Sequence, residues 1–269
     1  MSFKRLLVTL GILFTAFHFS CNKQKAGHDD ATDHDSYEWS YEGETSPEHW
    51  AELEKNSDCS GKRQSPVNII DLNVVEKDGD TAHNTLFYSP KTILTRVRNN
   101  GHTIQFDFDR GDSICSRDVH YDLVQIHFHT PSEHQIDGMT FPMEMHFVCV
   151  HKEQNEEFPE YFVLAIFFKM GKENKFIEGF IDLIPKHEND TVSLVKEPVF
   201  IDDLVGPINP DREYYHYKGS LTTPPYTETV NWLILREIVE ASPEQIRIIN
   251  DLEGNNARHV QAKFQRKVE

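Results

Sequence analysis

Three histidines carry the most specific chemistry in the chain. His127 and His129 stand one residue apart in QIHFHT (125–130). In an extended segment alternate side chains leave by the same face, so both imidazoles can reach one cation. Ile126 and Phe128 take the opposite face, giving the period of two expected of a strand. An H-x-H pair alone is satisfied by solvent as readily as by metal. A second segment, MEMHFVCVH (143–151), strengthens the metal reading: Glu144, His146, Val148 and Val150 share one face, and Met145, Phe147 and Cys149 the other. If this strand lies beside the first, His146 adds a third nitrogen. Three imidazoles are the donor set of a catalytic zinc site that keeps one coordination position open. Ligating imidazoles give their second ring N–H to an acceptor, and Gln125 and Glu144 sit on the histidine-bearing faces with the right chemistry for it.

The elements that must position these residues are strands. Short apolar or alternating runs recur at 93–98, 103–108, 122–129, 143–151, 161–169 and 229–236, with turn signals at Asn99-Asn100-Gly101, Asp137-Gly138 and Met170-Gly171. Helical patterns are few and short, around 48–55, 173–181 and 243–250. In the last, Ser242 is suited to cap and Pro243 to the first helical position. The domain reads as β-dominated α+β with peripheral helices.

The 269 residues show no internal repeat and suit one large domain. A net charge of −17 lacks the clustered Lys and Arg that nucleic acid requires, so that class of partner is excluded. Residues 1–21 have the layout of an export signal, with Lys4 and Arg5 ahead of an apolar run at 6–17 that is short for a membrane span. Ser20-Cys21 with polar residues after it is similar to a bacterial lipoprotein cleavage site, which would make Cys21 a lipidated first residue and the only tie to a membrane. The expectation is an exported protein, periplasmic or held as a membrane-anchored lipoprotein. Residues 22–37 form an acidic polar linker, and the folded domain is assigned to 38–269. Cys59, Cys115 and Cys149 are an odd number for an exported domain, and the absence of a CxxC spacing argues against a structural zinc–thiolate site.

Several motifs together resemble the α-class carbonic anhydrases from about Trp39 to Lys267. WSYEGETSPEHW (39–50) resembles the family's aromatic N-terminal segment and RQSPVNI (63–69) its buried Gln-Ser-Pro-Val stretch. NNGH (99–102) resembles the turn with the proton-shuttle histidine, QIHFHTPSEHQIDG (125–138) and MEMHFVCVH the ligand strands, and YKGSLTTPPYTETVNW (217–232) the loop over the metal. The resemblance implies a single domain on a large twisted, mostly antiparallel central sheet. It implies Zn2+ held by His127, His129 and His146, with Gln125 and Glu144 behind them, and reversible hydration of carbon dioxide to bicarbonate and a proton by hydroxide attack at the zinc. By the same resemblance Thr222 orients the nucleophile and Glu133 accepts the Thr222 proton. His102 is the proton shuttle, and Tyr41, Asn100 and Gln105 hold the cavity waters. Val148, Val163, Leu221, Thr223 and Trp232 form the substrate pocket. Two departures stand out. Tyr226 occupies the position where exported members often carry the cysteine that pairs with one at the place of Cys59, so packing must fix the loop. The run after His146 is also about two residues longer than the commonest form, which bears on the strand register and on His134 behind the ligands.

Two other functions are compatible with parts of the sequence. A catalytically inactive carbonic-anhydrase-like binding module would typically lose a zinc histidine, whereas all three are present. A metal buffer using the His- and Asp-rich linker would hold several ions weakly. The oligomeric state has no signature in the sequence.

Overall fold

In the computed structural model the described residues are 39–53, 57–74, 84–87, 92–108, 113–116, 119–151, 159–199, 202–205 and 213–269. The leader, Cys21, the linker and residue 38 lie outside them. The described residues fall in one compact unit.

The strands in chain order are β1 (Asn68–Ile69), β2 (Asn84–Phe87), β3 (Thr92–Asn99), β4 (Ile104–Phe108), β5 (Ser113–Ser116), β6 (Val119–His129) and β7 (Gln135–Ile136). They continue with β8 (Met143–His151), β9 (Glu160–Met170), β10 (Thr191–Val199), β11 (Tyr214–Gly219), β12 (Val230–Leu235) and β13 (Val239–Ala241). Eleven of these form one sheet with a central order β10-β3-β4-β6-β8-β9-β12-β11. Neighbours pair antiparallel along this order except at β9, which runs parallel to β12, and to β13 beside it. β1 and β7 form a small parallel pair apart from the sheet. The helices are short: α1 (Trp50–Leu53), α2 (Lys175–Glu178), α3 (Asp202–Val205) and α4 (Pro243–Glu253). At α4 the Ser242 side chain accepts from Gln245 N and the Gln245 side chain accepts from Ser242 N, a capping box behind Pro243.

The middle of the sheet is buried on both faces: β8 from Met143 to Cys149 and β9 from Phe162 to Phe168 are buried without a break. One face carries Phe106, Phe128, Met145, Phe147, Leu164 and Ile166, packed with Phe176 and Phe180 near α2 and with Ile246 and Ile249 of α4. The other carries Val148, Val163, Ala165, Phe167, Tyr217, Trp232 and Ile234. Burying a large apolar side chain is worth about 1.5–3 kcal/mol, so each face is a substantial clamp on strand register. The six strands expected from the sequence are all present, β3, β6 and β9 being longer than expected. The extra length after His146 causes no slip, since β8 pairs with β9 from Met143 to His151 without interruption. The irregularity falls instead on the other side, between Leu123 and Gln125 of β6.

Candidate metal centre and active site

Register assembles the centre. His127 of β6 lies opposite His146 of β8, His129 opposite Glu144, and Gln125 opposite Val148. The histidines share the sheet face that continues as Val163 and Trp232, with Val148 opposite Val163 and Val163 opposite Trp232. His127 Nε2 is 3.1 Å from His129 Nε2 and 3.2 Å from His146 Nδ1. Two nitrogens bound tetrahedrally to one zinc at about 2.0–2.1 Å would stand about 3.3 Å apart. The spacing therefore fits one small cation.

The remaining ring nitrogen of each histidine is engaged by an acceptor. His127 Nδ1 meets Gln125 Oε1 at 2.9 Å, His129 Nδ1 the Asn256 carbonyl at 2.8 Å, and His146 Nε2 meets Glu144 Oε1 at 2.7 Å. Protons placed on these outer nitrogens leave three lone pairs facing one another. Burial, together with the neighbouring His129 and His146, holds His127 well below the ordinary histidine range, and burial lowers His129 as well. Neutral imidazoles with converging lone pairs repel one another unless a cation lies between them, so the donor set fits zinc.

Glu144 anchors the floor of the site. Its Oε1 also meets His134 Nδ1 at 2.7 Å, and its Oε2 accepts from the backbone N–H groups of Glu133 and His134, both at 2.9 Å. Burial opposes its ionised form, but His134, His146 and these hydrogen bonds outweigh it and hold the carboxyl well below the usual range. His134 continues to the Tyr217 hydroxyl at 2.6 Å, which donates to Ser65 Oγ at 2.8 Å. His134 thus stands behind the ligands despite the longer run after His146.

Glu133 Oε1 accepts from Arg258 N at 3.0 Å, while Oε2 finds no hydrogen-bond partner among the described residues and lies 3.4 Å from His129 Nε2. Thr222 is buried in the 220–229 loop, but no hydrogen bond joins it to Glu133 among the described residues. Ser220 tethers this loop: Ser65 N donates to its hydroxyl, its own N–H donates to Ser65 Oγ, and its carbonyl accepts from Trp232 Nε1. Tyr226 is wholly buried, stacked on Trp50 at 5.4 Å, with the Arg258 guanidinium 4.5 Å from its ring centroid. Arg258 also reaches Cys59 Sγ at 3.4 Å. An aromatic–guanidinium stack therefore occupies the place where a disulfide was missing. Cys149 is buried on β8, and the Cys115 side chain lies outside the described residues.

Val148, Val163 and Trp232 belong to one buried apolar cluster, with Leu221 packed on its edge, and Trp232 is 4.9 Å from the His146 ring. Thr223 is partly buried, its carbonyl accepting from Tyr226 N. His102 sits in a turn whose Gly101 has φ +82°, a conformation that favours glycine, and its ring stacks on Trp39 at 3.8 Å. Tyr41 packs edge-on against Trp39 and Trp50. Burial and the nearby carboxyl groups of Glu133 and Glu253 push its hydroxyl well above the usual tyrosine value, so it serves as a neutral group. Gln105 lies opposite His127 and donates to Asp107 Oδ1. Asn100, expected to hold cavity water, is exposed, and its Oδ1 accepts from His102 N and Thr103 N, so it also builds the turn. Neither Asn256 nor Arg258 stands out in the sequence, because their contacts to His129 and Glu133 are made by a backbone carbonyl and a backbone N–H, which have no residue signature.

Residues 45–269 match the family model of the eukaryotic-type carbonic anhydrase. The chain is 41% identical over 204 residues to a carbonic anhydrase of Neisseria gonorrhoeae, covering 74% of this chain and 73% of that one. It is 37% identical over 214 residues to one of Pectobacterium atrosepticum, covering 79% and 82%. Among solved structures, the α-carbonic anhydrase of Thermovibrio ammonificans in complex with the inhibitor sulfanilamide superposes with a TM-score of 0.76 at 36% identity, over 86% of this chain and 98% of that one. Histidine-bearing strands in this register, on a sheet of this order, belong with that match over most of the chain: the protein is a member of the α-class carbonic anhydrase family.

Proposed function

We propose that the chain is a zinc enzyme that interconverts carbon dioxide and bicarbonate. The observation that carries this reading is the convergence of His127 Nε2, His129 Nε2 and His146 Nδ1, each with its second nitrogen held by an acceptor. The chemistry expected of zinc there is acidification of water to a pKa of about 7, a value for which carbonic anhydrase is itself the reference case and which does not come from the geometry above.

The chain's own residues do the rest. Gln125, the Asn256 carbonyl and Glu144 fix which nitrogen of each imidazole carries its proton. Glu133 Oε2, which has no hydrogen-bond partner among the described residues, supports a donor role for the Thr222 hydroxyl toward it, leaving the Thr222 oxygen to accept a hydrogen bond from the nucleophile and so aim the nucleophile's lone pair at carbon. Val148, Val163, Leu221 and Trp232 offer apolar carbon dioxide a place beside His146, with Thr223 at its edge. Histidine is the side chain whose intrinsic chemistry suits passing the released proton to buffer, which supports His102 in that role, and Tyr41 and Gln105 line the way. We further propose that residues 1–21 export the protein and that lipid on Cys21 anchors it. Acyl groups on a mature N-terminus at Cys21, found by mass spectrometry, would support the anchor, and a mature chain beginning elsewhere would sink it.

Stopped-flow hydration of carbon dioxide, with zinc content measured on the same sample and His129→Ala beside it, tests the activity. Rapid turnover with one zinc per chain, both lost in the variant, is the expected result. One zinc per chain without turnover would overturn the enzyme reading in favour of a binding module.

A further inference from the structure

Glu253 stands where a helix least favours it. It is the last residue of α4, whose final turn has no basic residue, and an acidic residue is the type that the helix dipole disfavours there. Its carboxyl group is turned inward and takes three hydrogen bonds. Oε1 accepts from Ile104 N at 2.6 Å and from Thr103 Oγ1 at 2.9 Å, and Oε2 accepts from Asn256 Nδ2 at 3.2 Å. None of these serves α4. The first two hold the residues that follow His102. The third joins Asn256, whose Nδ2 also donates to Phe128 O, whose Oδ1 accepts from Thr130 N and whose carbonyl accepts from ligand His129. The Thr103 hydroxyl is shared between Glu253 and Phe128 O. On the other side of the turn, Asn99 exchanges backbone hydrogen bonds with Asn189 and Asp190. The histidine turn is therefore pinned at both flanks, and on its metal-facing flank the Glu253 carboxyl group joins the pins, accepting from Thr103 and Ile104 and from Asn256, whose Nδ2 also lies 3.4 Å from His102 O.

We propose that Glu253 is a positioning residue of the proton relay, its carboxyl group clamping the turn that carries His102 onto the metal-binding strand. The inference rests on His102 acting as the relay. Glu253 touches neither the ligand nitrogens nor the apolar pocket, so its loss should affect the proton-transfer stage and leave the carbon chemistry alone. A carboxyl oxygen that accepts two hydrogen bonds holds the turn in one place, and displacement of a relay group by about an ångström lowers its rate by up to about 100-fold.

The experiment uses the zinc-loaded protein, Glu253→Ala and His102→Ala, with kcat and kcat/KM for hydration measured in dilute buffer and again with added imidazole as a diffusible proton carrier. Alanine is needed at 253 because a glutamine carbonyl oxygen could keep both bonds that Oε1 accepts. The expected result is a kcat in dilute buffer at least about fivefold lower for Glu253→Ala, in the direction of His102→Ala. Its kcat/KM and zinc content should be unchanged, and its kcat should recover with imidazole. An impaired His102→Ala beside an unimpaired Glu253→Ala would overturn this inference and leave the relay standing. A His102→Ala enzyme equal to wild type would overturn both. Parallel loss of kcat and kcat/KM in Glu253→Ala would mean a structural role only, and would also overturn it. If Glu253→Ala does not fold, Thr103→Val carries the same test, because it removes one of the two bonds to Oε1 at nearly constant shape, and a wild-type kcat in it would refute the clamp.

Discussion

Replacing Glu144 tests the ordering of the whole centre. Its two oxygens accept four hydrogen bonds, from His146 Nε2, His134 Nδ1 and the backbone N–H groups of Glu133 and His134, and its side chain is fully buried. Alanine would leave four buried donors without an acceptor. At about 1 kcal/mol each, the low end for such a loss, that is about 4 kcal/mol, a large share of an ordinary domain's stability. Glutamine is the more informative change. Its carbonyl oxygen can serve one pair of donors, but its amide N–H groups must then face the other pair, so two bonds are lost at about 2–6 kcal/mol in total. Loss of the negative charge behind His146 also weakens that imidazole as a donor, and disruption of such partners typically costs about 10–100-fold in metal affinity. Urea unfolding of the metal-free protein gives the first quantity and zinc competition against a chelator the second. A Glu144→Gln protein within 1 kcal/mol of wild type, with zinc affinity within threefold, would refute the claim that this carboxylate organises the site.

Three further outcomes are expected. Chelation of zinc should abolish hydration and lower the unfolding temperature, since a metal held at 1,000 times its Kd adds about 4 kcal/mol; His129→Ala should not respond to chelator, and an unmoved wild-type transition would refute the site. Tyr226→Ala should destabilise by about 3 kcal/mol, as for other buried aromatic residues, because it empties the stack between Trp50 and Arg258; a loss under 1 kcal/mol by urea unfolding would mean that the loop is fixed by other means. Burial pushes the Glu253 carboxyl up from 4.5 to about 8, against the hydrogen bonds from Ile104, Thr103 and Asn256. A raised folded value means that its contribution is fully present below about pH 4.5 and lost as pH rises through about 8, by no more than about 5 kcal/mol. Glu253→Gln should therefore gain stability relative to wild type between pH 5 and pH 9, and urea midpoints differing equally at both would refute this.

The sequence by itself determined the strands that carry the chemistry, because alternation is a local property of the chain. His127 and His129 on one face with Ile126 and Phe128 on the other, and His146 and Val148 opposite Phe147, follow from a side-chain period of two and recur in the structure. The Ser242 cap ahead of Pro243 was legible for the same reason, being local to the start of the helix, while its Gln245 half came from the structure. Only the tertiary structure decided which strands are neighbours, since pairing energy depends on burial summed over both sheet faces. Placing His146 opposite His127 rather than one residue along is a property of the whole β6–β8–β9 stack. It also decided every contact made by backbone or by distant packing. The Asn256 carbonyl on His129, the Arg258 N–H on Glu133 and the Tyr226 stack in place of a disulfide join positions far apart in the chain, two of them through backbone groups that every residue shares. Residue type could name the candidate ligands, but it could not name what holds them still.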